Sequence, residues 1–503
     1  MKGLHSILRS ASLIFIGTIL GQVIGFLAEI IIIRSVGPDL LGRLGVVYAL
    51  VSTIGTISLL GIPAGITRFL SADEDSKRSD ILVSGCIISI ISAVLFSLLL
   101  IFSKEMIDNI ISGAEVGSVI LLFIPYILAL PVSRVLLSAL RADQRTFAAT
   151  ISQRIGPRVC GISVLVLLIT FVNRQIFTVI GYWVSIPIIS SCFALFFLWK
   201  QSALPSMSLP SNETLSRLWH FSWPLAISAS LTVLLTRLDL LMLGIFVNAD
   251  SIGYYRSVQP LRQISTFVVG AFGFLFLPLA TEYYESNKLS SIDRLYRTTT
   301  KWITSITMPF VLIVVMFPRS VIIVLLGNQY LPAASVLSIL VGGLFFRAIV
   351  GLNTDILKAI NQTRVELACA VAGIATNIIL NLTLIPRFGI QGAAVATIMG
   401  FFVYNSCEAA IIYLRIGTHP FALNNVKPLI PTLFIGFLVS SLIGNASLDF
   451  FGLLLIGIVF SVVHLLSVIF THSLDGGDIV VIKELESLTG QDFSSLRNFI
   501  NDR

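Results

Sequence analysis

The sequence predicts an all-α polytopic membrane protein of about fourteen transmembrane helices, built as two pseudo-symmetric six-helix lobes plus two C-terminal helices. Three observations predict it: a composition too apolar for a water-facing surface, a series of apolar windows of spanning length, and an internal duplication. Of the 503 residues, 56% are hydrophobic and only 12% are charged, with a mean hydropathy of +0.95. A soluble domain carries about 25% charged residues, and a soluble chain of this length needs several water-facing domains. The net charge of +7 comes without any cluster of Lys and Arg interleaved with aromatics, so nucleic acid is not an expected partner. A basic surplus is what cytoplasmic loops of a membrane protein collect.

A helix needs about 20 apolar residues to cross the hydrocarbon core. Fourteen windows qualify: 11–33, 44–67, 81–103, 117–140, 155–172, 176–199, 222–247, 263–281, 302–318, 333–357, 366–386, 392–414, 428–444 and 450–470. The first is read as a retained span, because its apolar run is too long for a signal peptide and lacks a clear small-residue cleavage site. The fifth has the least defined start, since Arg154 and Arg158 crowd it. Cys86, Cys160, Cys192, Cys369 and Cys407 all fall in apolar segments without metal-ligand spacing and read as small buried hydrophobes. The five histidines are scattered, and no metal site, cofactor motif or catalytic constellation is expected.

Orientation follows from the short loops. With the N-terminus inside, cytoplasmic loops before the tail hold 19 Lys and Arg residues and external loops hold 8. This bias predicts a cell-membrane protein with both termini cytoplasmic. The expected organisation is a lobe over 1–200, a cytoplasmic linker over 201–221, a lobe over 222–415, two appended helices over 416–471 and a cytoplasmic tail over 472–503. No G-x-x-x-x-G-K-[ST] loop occurs, so the chain carries no ATPase motor motif.

The duplication is visible at three points. Val36-Gly-Pro-Asp-Leu-Leu-Gly42 after span one echoes Val247-Asn-Ala-Asp-Ser-Ile-Gly253 after span seven, at an offset of 211 residues. Ile110-Ile-Ser-Gly113 before span four echoes Val324-Leu-Leu-Gly327 before span ten, at 214. Ala139 to Arg145 after span four echoes Ala359 to Arg364 after span ten. Six helices, an even number, separate equivalent spans, so the two halves share one orientation, as in transporters with parallel repeats.

Longer stretches resemble a known family. Val36 to Ser71, Arg237-Leu-Asp-Leu-Leu-Met-Leu-Gly244 with Ile252-Gly-Tyr-Tyr255, Leu326-Gly-Asn-Gln-Tyr330, and Ile385-Pro-Arg-Phe-Gly-Ile-Gln-Gly-Ala-Ala394 resemble the polysaccharide-biosynthesis flippases that move O-antigen and lipid-linked oligosaccharides. Their superfamily also includes the multidrug and toxin extrusion antiporters and the peptidoglycan-precursor flippases. The resemblance runs from about residue 10 to 471. It implies the multidrug and toxin extrusion-like fold, with a central cavity between two lobes. It also implies a polyprenyl-(pyro)phosphate-linked glycan as cargo, moved from the inner to the outer leaflet.

Such a carrier must pass a phosphate through hydrocarbon, and a buried arginine is a fitting counter-charge. Arg237, fifteen residues into span seven, and Arg347, deep in span ten, are the main cavity candidates, with a structural ion pair as the competing reading. Arg134 lies about 9 Å from the inner end of span four, where snorkelling to headgroups is an equal reading. Arg154 and Arg158 share one helix face at the inner mouth; they gather an anionic headgroup or simply obey the positive-inside rule. Asp239 and Glu29 are candidates for a coupling H⁺ or Na⁺ site or for ion pairs, and Glu29 equally reads as an interfacial carboxylate. Arg237 and Asp239, two residues apart, lie about 200° around the helix and need different partners.

Gly17, Gly21 and Gly25 form a small-x-x-x-small seam for close helix contact. Pro63, Pro131, Pro187, Pro278 and Pro309 interrupt spans and read as bends. The expected function is a flippase working by alternating access as a monomer, alone or with glycan-assembly enzymes, with membrane lipid and the glycan as partners. A cation-coupled drug exporter is the nearest alternative and predicts acidic cavity residues. A membrane glycosyltransferase or glycan polymerase needs a sizeable external loop with an acidic motif, which the windows leave no room for.

Overall fold

The computed structural model describes residues 2–72, 78–111, 116–172, 174–200, 210–444 and 447–474, with isolated tail residues 478, 479, 486 and 494. Of the predicted features, residues 201–209 of the linker, Ser112 and Gly113 of the second repeat motif and most of the tail lie outside the described residues. Among the described residues the chain is helical, without strands. By packing it divides into two compact units, Met1–Ser257 and Val258–Arg503.

The first unit contains α1 (Lys2–Ser35), α2 (Pro38–Ile57), α3 (Ile62–Ala72), α4 (Arg78–Phe102), α5 (Ile124–Ala142), α6 (Gly156–Phe171), α7 (Gln175–Lys200), α8 (Asn212–Phe246) and α9 (Ala249–Ser257). The second contains α10 (Gln259–Glu285), α11 (Leu289–Met316), α12 (Ala334–Val350), α13 (Asn353–Ala359), α14 (Thr363–Ile416), α15 (Leu429–Ile443) and α16 (Phe450–Phe470). The predicted lobes are defined by sequence duplication; in packing, the seventh predicted span, α8, lies against α2, α3 and α4 of the first unit.

Among the described residues twelve segments are helical, long and apolar enough to cross a membrane. One of them is α14, whose 54 residues extend about 81 Å at 1.5 Å per residue. That is far beyond the roughly 30 Å hydrocarbon core, so α14 supplies two spans. Gly389 divides it, with φ 56° and ψ −132°, three residues after Pro386. A positive φ costs glycine little. Counting α14 twice and adding α8, which covers the 222–247 window, accounts for the predicted fourteen.

Local chemistry sets the helix ends. Pro38 opens α2 at a position where its missing N–H costs nothing. The Ser211 hydroxyl caps α8 by accepting from the Thr214 N–H, and the Asp449 carboxylate caps α16 by accepting from the Gly452 N–H. The second and tenth windows are each broken rather than continuous. Leu60 and Gly61, both with positive φ, separate α2 from α3, and Gly351 (φ 71°) separates α12 from α13. Many hydroxyls inside the spans turn back onto their own helix, as Thr53 does to the Ala49 carbonyl at 2.7 Å and Thr307 to that of Ile303 at 2.6 Å. Without water, this is how a polar group is satisfied.

The stretch 248–262, left between the seventh and eighth apolar windows, is largely helical. Asp250 and Arg256 lend it a polar sequence, yet Ile252, Tyr255 and Arg256 are buried as α9 packs along α2. In the second unit, Phe276, Tyr296, Ile303, Leu352, Ile356 and Ile412 form the core between α10, α11, α13 and α14. The two C-terminal helices pack on α11, where Phe317 stacks on Phe460 and Leu312 fills the space beside Gly436.

Candidate functional site

The first unit holds most of the predicted charged residues. Gly17, Gly21 and Gly25 of α1 face Thr150, Arg154 and Arg158 in a matched four-residue register. A Cβ on Gly21 would stand 2.8 Å from the Arg154 carbonyl oxygen, and one on Gly25 would stand 3.0 Å from the Arg158 guanidinium. The glycine seam therefore brings this arginine-bearing segment onto the backbone of α1. Residues Ile151–Ile155 form a π-helical turn just before α6. Arg158 donates to the Gly21 carbonyl across the seam.

Arg134 of α5 lies close enough to Arg141 and Arg154 for their charges to repel. Arg141 donates to the Gln153 side chain at 2.6 Å. Arg134 and Arg154 thus belong to one basic cluster, and Arg158 extends it along α1. Arg141, which the sequence placed in a loop, joins them. Nearby, Arg78 and Asp143 form a bidentate pair with both contacts at 2.6 Å.

Glu29, Arg237 and Asp239 occupy a second region of the same unit. The Arg256 guanidinium donates to Glu29 at 2.7 Å, with side chains 7% and 22% exposed. The Trp183 indole N–H reaches the other Glu29 oxygen at 3.4 Å. Gly45 of α2 makes this possible: the Arg256 stem lies 3.2 Å from where its Cβ would be. Trp183 stacks on Tyr48, with ring centroids 4.5 Å apart and planes inclined by 24°. The Arg237 guanidinium lies over the Tyr48 ring, 5.4 Å from its centroid. Asp239 has a different partner, accepting from the Tyr255 hydroxyl at 3.0 Å.

A continuous chain of contacts therefore runs from Arg256 through Glu29, Trp183 and Tyr48 to Arg237. Arg237 lies nine residues, about 14 Å, from the end of α8, and Tyr48 lies about 15 Å from the start of α2. Among the described residues Arg237 makes no ion pair. An arginine at the bilayer centre costs about 2.5–3.5 kcal/mol, and a ring beneath it returns about 0.5–2 kcal/mol without neutralising its charge.

Arg347 belongs to the second unit, in the last turn of α12 just before the Gly351 break. Its charge is within reach of Asp355 and Glu408. Around that break Tyr296 donates to the Val350 carbonyl at 2.8 Å and also bonds to Asn353. The Thr354 hydroxyl lies 3.0 and 3.1 Å from the two Glu408 oxygens. Tyr404 bonds to Thr354 at 3.0 Å and donates to Glu366 at 3.2 Å. Glu408 is fully buried.

The sequence reading passed over Glu408, although a carboxylate inside the 392–414 window is a signal in itself. It also passed over Tyr48, Trp183 and Arg256. Two aromatics in apolar spans carry no pattern, and Arg256 reads as a loop residue until α9 is seen to be helical. Among the described residues no group of His, Cys, Asp or Glu is arranged to hold a metal.

The family model described as "Polysaccharide biosynthesis protein" matches residues 7–284. An uncharacterized membrane protein of Methanocaldococcus jannaschii is 26% identical over 38% of this chain, and the match spans only 38% of that relative's length. The probable low-salt glycan biosynthesis flippase Agl15 of Haloferax volcanii is 23% identical, over 78% of this chain and 81% of its own length. Among solved structures, the lipid II flippase MurJ in an inward closed conformation has a TM-score of 0.74 at 16% identity, covering 92% of this chain and 99% of that one. An inward-facing multidrug resistance transporter of the MATE family has a TM-score of 0.64 at 14% identity, covering 79% and 94%. At these identities the structures speak for the fold, which is the multidrug and toxin extrusion-like one.

Proposed function

The chain belongs to the polysaccharide biosynthesis protein family, and from that premise we propose that it is a flippase for glycan precursors. Its cargo is a polyprenyl-(pyro)phosphate-linked oligosaccharide or polysaccharide precursor, moved from the cytoplasmic to the outer leaflet. The named roles of Agl15 and MurJ support the class of cargo. The observation that carries the reading is Arg237, a guanidinium held nine residues inside the end of α8 over an aromatic ring, with its charge left for an anion.

In this proposal both termini are cytoplasmic, following the bias of 19 to 8 in the loop cations. The cluster of Arg134, Arg141 and Arg154 then lies toward the cytoplasmic leaflet and receives the phosphate, and Arg158, held against Gly21 and Gly25 in the middle of the first span, lies deeper. Arg237 binds it at depth, and alternating access exposes it on the far side. Arg347 provides the corresponding cation in the second unit. The mutual repulsion within the first cluster supports this, because an anion relieves it.

A second reading, a cation-coupled exporter, draws on the buried Glu408 with Glu366 in the second unit. Reconstitution in liposomes separates the two. The flippase reading expects uptake of a labelled polyprenyl-pyrophosphate sugar that depends on Arg237. Cation-driven efflux of drugs, without movement of the glycolipid, would replace it with the exporter.

A further inference from the structure

Arg237 does not hold its position alone, and the way it is held has a chemical consequence. Its guanidinium lies over Tyr48, whose ring is fixed by three others. Trp183 stacks on it at 4.5 Å, Tyr126 meets it edge-on at 5.8 Å and 69°, and Phe123 lies 6.4 Å away. Phe123, Trp183 and Tyr126 are buried at 0, 3 and 8% exposure, whereas Tyr48 is only partly covered. Trp183 is in turn anchored through its indole N–H to Glu29, which the Arg256 guanidinium also grips. The ring beneath Arg237 is therefore the end of a braced stack running across α1, α2, α7 and α9.

A carboxylate in place of the ring would fix Arg237 equally well, but it would cancel the charge and occupy the N–H fork. A ring attracts the cation through its face and competes for no in-plane donor. The fork remains available for two parallel bonds to a phosphoryl group. We propose that Tyr48, backed by Trp183, is a positioning residue that presents the Arg237 guanidinium to a phosphate or pyrophosphate group. This rests on the proposed role of Arg237 in binding the cargo and names a residue through which that role is exerted.

The test is a double-mutant cycle on binding. Purified full-length protein in detergent is titrated with a short-chain isoprenyl diphosphate and, separately, with inorganic pyrophosphate. Wild type is compared with Tyr48→Phe, Tyr48→Leu, Arg237→Ala and the Tyr48→Leu/Arg237→Ala double variant. Tyr48→Leu is expected to weaken isoprenyl diphosphate about tenfold, and Tyr48→Phe, which keeps the π face, to stay within about twofold of wild type. In the Arg237→Ala background the Tyr48→Leu change is expected to add nothing, because Tyr48 acts through the guanidinium. Pyrophosphate is expected to bind more weakly but to show the same tenfold loss.

Wild-type binding by Tyr48→Leu alongside weak binding by Arg237→Ala overturns the inference and leaves the flippase reading intact. Losses that simply add in the double variant make Tyr48 structural and also overturn it. A tenfold loss for the lipid with none for pyrophosphate overturns it too, by placing Tyr48 on the isoprenoid. Unchanged binding in Arg237→Ala removes instead the role of Arg237 on which the proposed function leans. Should Tyr48→Leu fail to fold, Tyr48→Met carries the same expectations.

Discussion

Gly42 and Gly253 close on one another's backbone: a Cβ on Gly42 would run into the Ala249 carbonyl, and one on Gly253 into that of Pro38. These four positions are related in pairs by the repeat offset of 211, since Pro38 corresponds to Ala249 and Gly42 to Gly253. A contact in which i meets j′ while i′ meets j is the mark of a two-fold relationship. The two motif copies pack on each other through α2 and α9, and each glycine exists to let the other copy's backbone approach.

Substituting either glycine by alanine is expected to force that crossing apart. Overpacking of this kind costs about 1–3 kcal/mol, so Gly42→Ala and Gly253→Ala should each lower the thermal midpoint in detergent. Gly37→Ala is the control, because nothing lies within 4 Å of its Cβ position. Equal midpoints for all three would show that the crossing is looser than described.

The Glu29–Arg256 pair makes a second prediction. Arg256 is 7% exposed and leans across Gly45 to reach its partner. Glu29→Gln leaves a buried guanidinium without its counter-charge, at a cost of about 3–5 kcal/mol. Removing both charges together, as Glu29→Gln with Arg256→Met, is expected to recover part of that loss. Thermal unfolding of the single and double variants measures it, and simple addition of the two losses would argue against a coupled pair.

Much of this was legible in the sequence, for reasons that differ by element. The spans could be read because length and apolarity are set by the bilayer, whatever the tertiary structure. The Gly17–Gly21–Gly25 seam could be read because small residues at four-residue spacing have one structural use, though its partner segment could not. Arg237 and Arg347 stood out because a charge at depth is costly. What could not be read depends on which helix meets which. Tyr48 becomes notable only once Arg237 is found over it, and Arg256 only once the polar stretch after Val247 is found to be helical. The breaks at Gly61 and Gly351 were hidden because each falls inside a run that hydropathy sees as continuous.

The second unit supplies a third prediction. Lys301 of α11 is 4% exposed and donates to Asp478 of the tail at 2.6 Å and to the Ser473 carbonyl at 2.9 Å. The Trp302 indole N–H donates to the other Asp478 oxygen at 3.0 Å. Asp478→Ala takes a carboxylate away from a buried ammonium and is expected to destabilise the protein by up to about 3–5 kcal/mol. Limited proteolysis should then cut the tail faster than in wild type, and an unchanged digestion pattern would mean that this contact does not hold the tail.

The basic cluster makes a fourth. Arg134, Arg141 and Arg154 repel one another, so a bound anion should stabilise them. Thermal midpoints are expected to rise with added pyrophosphate in wild type and to rise less in Arg154→Gln. A midpoint that ignores pyrophosphate in both would remove the cluster from the proposed path.

The most direct test of the central claim is movement of the headgroup itself. A fluorescent polyprenyl-pyrophosphate sugar is placed in proteoliposomes, and its exposure on the far leaflet is followed with a membrane-impermeant quencher. Wild type is expected to translocate it, and Arg237→Ala to fall about 10- to 100-fold, the worth of one charge-assisted contact to phosphate. Equal translocation by the two proteins would contradict the account.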